Sequence, residues 1–193
     1  MNKILRIDMT GLKLKEEQAP KEYCLLGGRG LTSQIIANEV KPTCDALGRH
    51  NKIILAPGLL GGTMAPCSGR LSVGGKSPLT GTIKEANVGG TAAQKLARMG
   101  YKAVIIEGKA ESNSLYVVKI DPEGAELIEA SELKGKGNYE TAEILRNKYG
   151  KGYGIVSVGP AGEAKLLAAS VAATTVEGWP SRHAGRGGLG AVL

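Results

Sequence analysis

Three short stretches set glycine beside arginine or asparagine: CSGR at 67–70, ANVGG at 86–90 and SRHAGRGG at 181–188. Glycine at the start of a helix lets successive backbone N–H groups converge on one point, and the helix dipole favours negative charge there. Arginine adds a planar fork that stays charged and donates two parallel hydrogen bonds to a phosphate. The implied chemistry is capture of a phosphate-bearing ligand, not bond making by these side chains. Any one of these glycines reads more simply as a turn; the three stretches together weigh towards an anion site. Two other glycine runs do not match known phosphate loops. GGRGL at 27–31 fits no G-x-G-x-x-G dinucleotide fingerprint in a βαβ unit, and GGKSP at 74–78 lacks the glycine spacing of a P-loop.

Composition narrows the ligand. The 193 residues carry a net charge of +7, with several arginines placed in glycine turns rather than in lysine runs, which favours a small anion over a long polyanion. Six tyrosines, one tryptophan and no phenylalanine are too few aromatics for a base-stacking platform, which argues against nucleic acid. The core must therefore be aliphatic. Cys24, Cys44 and Cys67 are widely spaced and form no C-x-x-C, so this chain offers neither a zinc site nor an iron–sulfur cluster of its own. Three free thiols, no signal-like N-terminus and no apolar run of about 18 residues give the expectation of a cytoplasmic protein that does not enter a membrane.

The turns need elements to hold them. A hairpin is predicted about Thr10-Gly11, with Ile4, Leu5 and Ile7 before it and Leu12 and Leu14 alternating with lysines after it. Leu31, Ile35 and Ile36 have helical spacing, in a helix that Pro42 closes. Ile53 to Ala56 reads as a short buried strand, and residues 69–83 as another strand and turn. The clearest helix follows the ANVGG turn, runs through Ala92, Leu96 and Met99, and stops at Gly100 before a strand. A second hairpin turns at Asp121–Gly124, an amphipathic helix carries Ala142, Leu145 and Tyr149, and two strand candidates flank a turn at Gly159–Gly162. Many strands and three or four helices, without strict alternation, predict an α+β domain. Residues 55–106 and 156–193 each run strand, Pro/Gly turn, strand, polar residue, glycine turn and the start of a small-residue helix. Read as repeats, they pair Asn87–Gly90 with Gly185–Gly188 or its neighbours. The second copy then lacks most of its helix and a strand like Ala103–Ile106, so Leu193 reads as a cut.

Seven segments in this order resemble the tungsten-containing aldehyde ferredoxin oxidoreductase family: LLGGRGLT, APGLLGGTMAPCSGRLSV, KSPLTGTI, ANVGG, GYKAVIIEGKAE, VSVGPAGE and RHAGRGGLGAV. The resemblance spans residues 1–193 as the family's N-terminal domain, truncated at its C-terminus. It implies two similar β-sheet halves, related by a pseudo-twofold axis, forming a base under a bis-pterin cofactor of tungsten or molybdenum. It implies pterin contacts at Arg70, Asn87, Gly89, Arg182, His183, Ala184, Gly185 and Arg186, with a magnesium ion near the backbone carbonyls of Asn87 and His183. His183 stands where the family is expected to carry a small residue. The whole enzyme would oxidise aldehydes to carboxylic acids and pass electrons to ferredoxin. Its 4Fe-4S cluster ligands and catalytic residues would lie in C-terminal domains, so this domain alone is expected to be inactive and free of metal. Cys67 is expected to be packed or incidental. Two other readings compete: a natural small subunit of a split oxidoreductase, and a non-enzymatic module binding anions or nucleic acid. Homo-oligomerisation, the metal and the substrate stay open.

Overall fold

The computed structural model describes residues 2–112 and 114–193. The chain opens with a hairpin of β1 (Lys3–Asp8) and β2 (Lys13–Gln18), followed by helix α1 (Gly28–Glu39). An antiparallel meander comes next: β3 (Lys52–Pro57), β4 (Leu71–Lys76) and β5 (Ile83–Val88). Helix α2 (Ala92–Arg98) leads into β6 (Tyr101–Glu107), which inserts parallel to β1 and antiparallel to β3. The result is one six-stranded sheet in the order β2-β1-β6-β3-β4-β5.

The element order then starts again. A second hairpin pairs β7 (Tyr116–Asp121) with β8 (Gly124–Glu129). A 3-10 turn at Ser131–Leu133 precedes α3 (Asn138–Tyr149), as one at Lys21–Tyr23 precedes α1. A second antiparallel meander follows, of β9 (Val156–Ser157), β10 (Val171–Ala173) and β11 (Arg182–Ala184), with the single-turn helix α4 (Pro160–Glu163) between its first two strands. Register ties the copies together residue by residue. Ala56 pairs with Ser72 and Ser72 with Asn87; Ser157 pairs with Ala172 and Ala172 with His183. The repeat therefore begins at the first hairpin, earlier than the two matched segments suggest. The sheets of the copies are unequal. The second copy forms a two-stranded and a three-stranded sheet, because among the described residues nothing takes the place that β6 holds in the first.

The fold is α+β with an aliphatic core, as expected. One cluster joins both copies: Leu5, Ile7, Leu55, Val73 and Val88 meet Val171, Ala173, Ala184 and Leu189. The second cluster lies under α1 and contains Ile4, Leu31, Ile35, Ile54, Ala103 and Ile105. Strand alternation sorts them, so Leu5 and Ile7 of β1 face the shared core and Ile4 faces the helix. Four local readings are corrected. Ala86–Val88, read as part of the ANVGG glycine turn, belong to strand β5, because β4 supplies a full ladder of partners. Arg182–Ala184 is likewise a strand, held by β10. The turn at Gly159–Gly162 becomes α4, with Pro160 at a helix start where its missing N–H costs nothing. Among the described residues the second glycine turn is followed by a 3-10 turn at Leu189–Ala191 rather than the start of an α-helix.

Candidate functional site

The site is built where two sheet edges meet. β5 is the outermost strand of the six-stranded sheet, β11 is an outer strand of the three-stranded one, and the two touch. Each glycine turn is pinned to the other copy. The Thr91 N–H donates to the Thr174 carbonyl at 3.1 Å. A Cβ on Gly90 would stand 2.5 Å from that same carbonyl oxygen, and Gly90 has φ +110°, so only glycine fits the approach. In return, the Ser77 hydroxyl donates to the Gly187 carbonyl at 2.7 Å. ANVGG and HAGRGG are thereby brought together.

The first turn carries a compact polar group. Arg70 ends the loop before β4 and is exposed; its Nε donates to Oδ1 of Asn87 on β5. A Cβ on Gly89 would lie 3.3 Å from the Arg70 Nη1, so the guanidinium spreads over Asn87 and Gly89. Behind them the Ser72 hydroxyl donates to Glu85 at 2.6 Å, and Arg29 at the start of α1 donates to Glu85 at 3.1 Å.

The second turn presents Arg182, His183, Gly185 and Arg186 to solvent. His183 Nδ1 lies 2.9 Å from the Ser170 hydroxyl, which orients the ring and turns Nε2 away from that bond. A Cβ on Gly185 would meet nothing within 4 Å. Ala184 sits in the shared core at 1% exposure and offers a ligand no side chain. Gly187, Gly188 and Gly190 are buried against Lys84, Leu167 and Ser170, so these three are packing turns rather than part of an open cradle.

Electrostatics separate these arginines from the others in the hairpin region. Arg6 is held by Glu17, Glu39 and Glu107. Arg70, Arg182 and Arg186 form no ion pair among the described residues, so their charge is available to an anion. The Thr175 hydroxyl, a local amide and the Arg182 charge hold the Glu177 carboxyl below its usual range. Two hollows of about 480 and 450 Å³ lie elsewhere, at the ends of the hairpins around Arg6 and Lys119.

Ser77, Ser170 and Thr174 position the site and carried no sequence signal, because their roles depend on contacts between the copies. Cys67 is exposed with φ +58°, not packed. Among the described residues no group of three or more His, Cys, Asp and Glu is placed to hold a metal. Among them, too, no helix is long and apolar enough to cross a membrane.

Over nearly its whole length the chain is similar to several oxidoreductases. It is 41% identical to the tungsten-containing aldehyde ferredoxin oxidoreductase of Pyrococcus horikoshii and 42% identical to that of Pyrococcus abyssi; each match covers 99% of this chain and 31% of the relative. It is 27% identical to the WOR-like subunit of an aliphatic sulfonate oxidoreductase of Pyrococcus furiosus, over 99% of this chain and 32% of that subunit. The chain thus spans about a third of the length of the curated relatives it matches. Among solved structures, the active site complex BamBC of benzoyl coenzyme A reductase, bound to 1,5-dienoyl-CoA, superposes with a TM-score of 0.90 at 32% identity. That match covers 99% of this chain and 28% of the other. The model of the aldehyde ferredoxin oxidoreductase N-terminal domain matches residues 4–193, and the chain belongs to that family.

Proposed function

We propose that this chain is the pterin-binding N-terminal domain of an aldehyde ferredoxin oxidoreductase-like enzyme, and that the β5–β11 junction is its cofactor seat. The observation that carries the reading is the meeting of two equivalent turns at one junction, one from each copy, with unpaired arginines on both. A cofactor of two phosphate-bearing pterins needs two adjacent anion sites of similar build.

The residues fit such a group. Gly185 leaves open space where a side chain would intrude, and the Arg70 fork is already held in place by Asn87. Arg70 and Gly89 serve one phosphate, and Arg182, Gly185 and Arg186 the other. Asn87 and His183 hold the same register position on their strands, which suits a magnesium ion shared between their backbone carbonyls. When bound, the tungsten or molybdenum centre supplies the redox chemistry, accepting the two electrons released when an aldehyde and water become a carboxylic acid. The present residues bind and orient. Ferredoxin reduction, the 4Fe-4S cluster and turnover fall to the remaining domains, and this domain alone is inactive. Its setting is the cytoplasm.

Each charge-assisted contact to phosphate contributes about 1.5–3 kcal/mol when shielded from water, and less on an open surface. In the full-length enzyme, Arg70→Ala and Arg186→Ala are therefore expected to lower pterin content per protein after gel filtration. Full occupancy in both variants would remove these arginines from the site and the reading with them.

A further inference from the structure

Each copy of the repeat sets a side-chain pair beside its glycine turn, and the second pair differs in chemistry from the first. Ser72 pairs with Asn87 across β4 and β5, and Ala172 pairs with His183 across β10 and β11. The same register makes Gly185 the counterpart of Gly89, and Ser170 the counterpart of Arg70, each two residues before its strand position. The side chains follow this correspondence. Arg70 Nε donates to Asn87 Oδ1, and the Ser170 hydroxyl lies 2.9 Å from His183 Nδ1. Leu71, Val88, Val171 and Ala184 turn into the shared core, so Asn87 and His183, with the side chains bonded to them, lie on the other face.

Three differences suit the second pair to a ligand. In the first copy the guanidinium itself covers the glycine, with Nη1 3.3 Å from a Cβ on Gly89, whereas the space over Gly185 is open to 4 Å. Glu85, which engages Ser72 and Arg29 behind the first pair, has Ser181 as its counterpart, so no carboxylate takes that place in the second copy. Glu177, an acid close in sequence, is held by the Thr175 hydroxyl and faces the charge of Arg182. Finally, His183 is exposed, and among the described residues its Nε2 has no hydrogen-bond partner.

We propose that the His183 side chain is a phosphate donor of the second turn and that Ser170 is its positioning residue. The Ser170 hydroxyl donates to Nδ1, which places the ring proton on Nε2, and that N–H donates to an oxygen of a phosphate monoester seated over Gly185 beside Arg186. A neutral imidazole with one donor does in the second copy what a charged fork does in the first, so the two halves of the seat are unequal. The assignment rests on the cofactor reading of the junction and adds a side-chain donor to its second phosphate site. Exchanging the imidazole leaves the His183 carbonyl in place.

The test records ring 15N and amide spectra of the 193-residue protein during titration with inorganic phosphate, at mildly alkaline pH where imidazole is neutral. His50, the other histidine, is the reference. Before phosphate is added, His183 is expected in the Nε2–H form, and Ser170→Ala is expected to mix the two ring forms, which loss of packing alone would not do. Phosphate is expected to shift His183 Nε2 and the Gly185 amide together. His183→Ala is expected to weaken the Gly185 response about fivefold, the size of one hydrogen bond, and Ser170→Ala about twofold, with Gly89 responding as in the wild type. Ser170→Arg combined with His183→Asn installs the first pair in the second turn and is expected to restore binding. In the full-length enzyme, His183→Ala is expected to lower pterin content per protein at least twofold after gel filtration, and the double variant to recover it. Phosphate binding at Gly185 that is unchanged in His183→Ala, or a wild-type ring in the Nδ1–H form, would overturn the proposal. A response at Gly89 with none at Gly185, or pterin lost from Arg70→Ala but kept by His183→Ala, would also overturn it and leave the cofactor reading standing. A response at neither turn, with full pterin in Arg70→Ala and Arg186→Ala, would remove both.

Discussion

Glu39 shows what one side chain contributes when elements distant in sequence converge on it. It sits at the last turn of α1 and receives both Nη atoms of Arg6, each at 2.8 Å, and Lys52 Nζ at 2.8 Å. Burial alone would raise its carboxyl, but the hydrogen bonds and charges of Arg6 and Lys52 prevail and hold it at about 2. Glu17 is pulled down in the same way by Arg6. A carboxylate depressed in the folded state adds stability that is present above its unfolded pKa and is lost as pH falls through its folded value. Glu39→Gln is therefore expected to cost about 1–2 kcal/mol near neutral pH, after allowance for solvent screening of a partly exposed network. The gap between wild type and variant, measured by urea unfolding, narrows as pH falls from the unfolded carboxylate range towards 2. A gap that stays constant over that window would show that Glu39 acts through packing alone.

At the scale of elements, the two glycine turns divide into positions that hold the scaffold and positions that face a ligand. Gly90→Ala is expected to destabilise the domain by about 1–3 kcal/mol, since the new methyl meets the Thr174 carbonyl at a backbone angle that alanine rarely adopts. Gly185→Ala is expected to stay within about 0.5 kcal/mol, because its Cβ enters open space. In the full-length enzyme the order reverses for cofactor retention per folded molecule, with Gly185→Ala the more harmful. Thermal unfolding of both variants, beside their pterin content, separates the two roles; a Gly185→Ala variant that keeps its pterin would place Gly185 outside the site. The sequence already marked these turns, and the two hairpins and the helices at α1, α2 and α3 were legible from alternation and helical spacing. β5 and β11 were not. Lys84, Glu85 and Asn87 carry little strand preference, and three residues from Arg182 to Ala184 show no period at all. Both are strands because β4 and β10 lie beside them, a fact of tertiary pairing. The parallel pairing of β1 with β6, across a whole meander and a helix, was invisible for the same reason.

For the whole molecule, duplication without symmetry of burial implies unequal local stability. α1 buries Leu31, Thr32, Ile35 and Ile36 over a cluster that β6 completes. α3 has the same length and place in the repeat but buries only Thr141 and Ala142. Its hairpin, β7 and β8, is half-exposed along every position of β7 and stands as a separate sheet. The shared core does not cancel this difference. Val118, Ile120, Ala125 and Leu127 pack against that core from its margin, while Leu5 and Ile7 lie wholly inside it. Segments with few buried apolar contacts open at lower free energy than the global unfolding step. The second hairpin and α3 are thus expected to open as a unit while the six-stranded sheet stays closed. Native-state hydrogen exchange of the 193-residue protein should find the most protected amides of α3 exchanging at least tenfold faster than those of α1. Denaturant should affect the α3 amides weakly and the α1 amides strongly, since only the latter wait for global unfolding. Equal protection with equal denaturant dependence would mean that the shared core welds both copies into one cooperative unit, despite the missing strand.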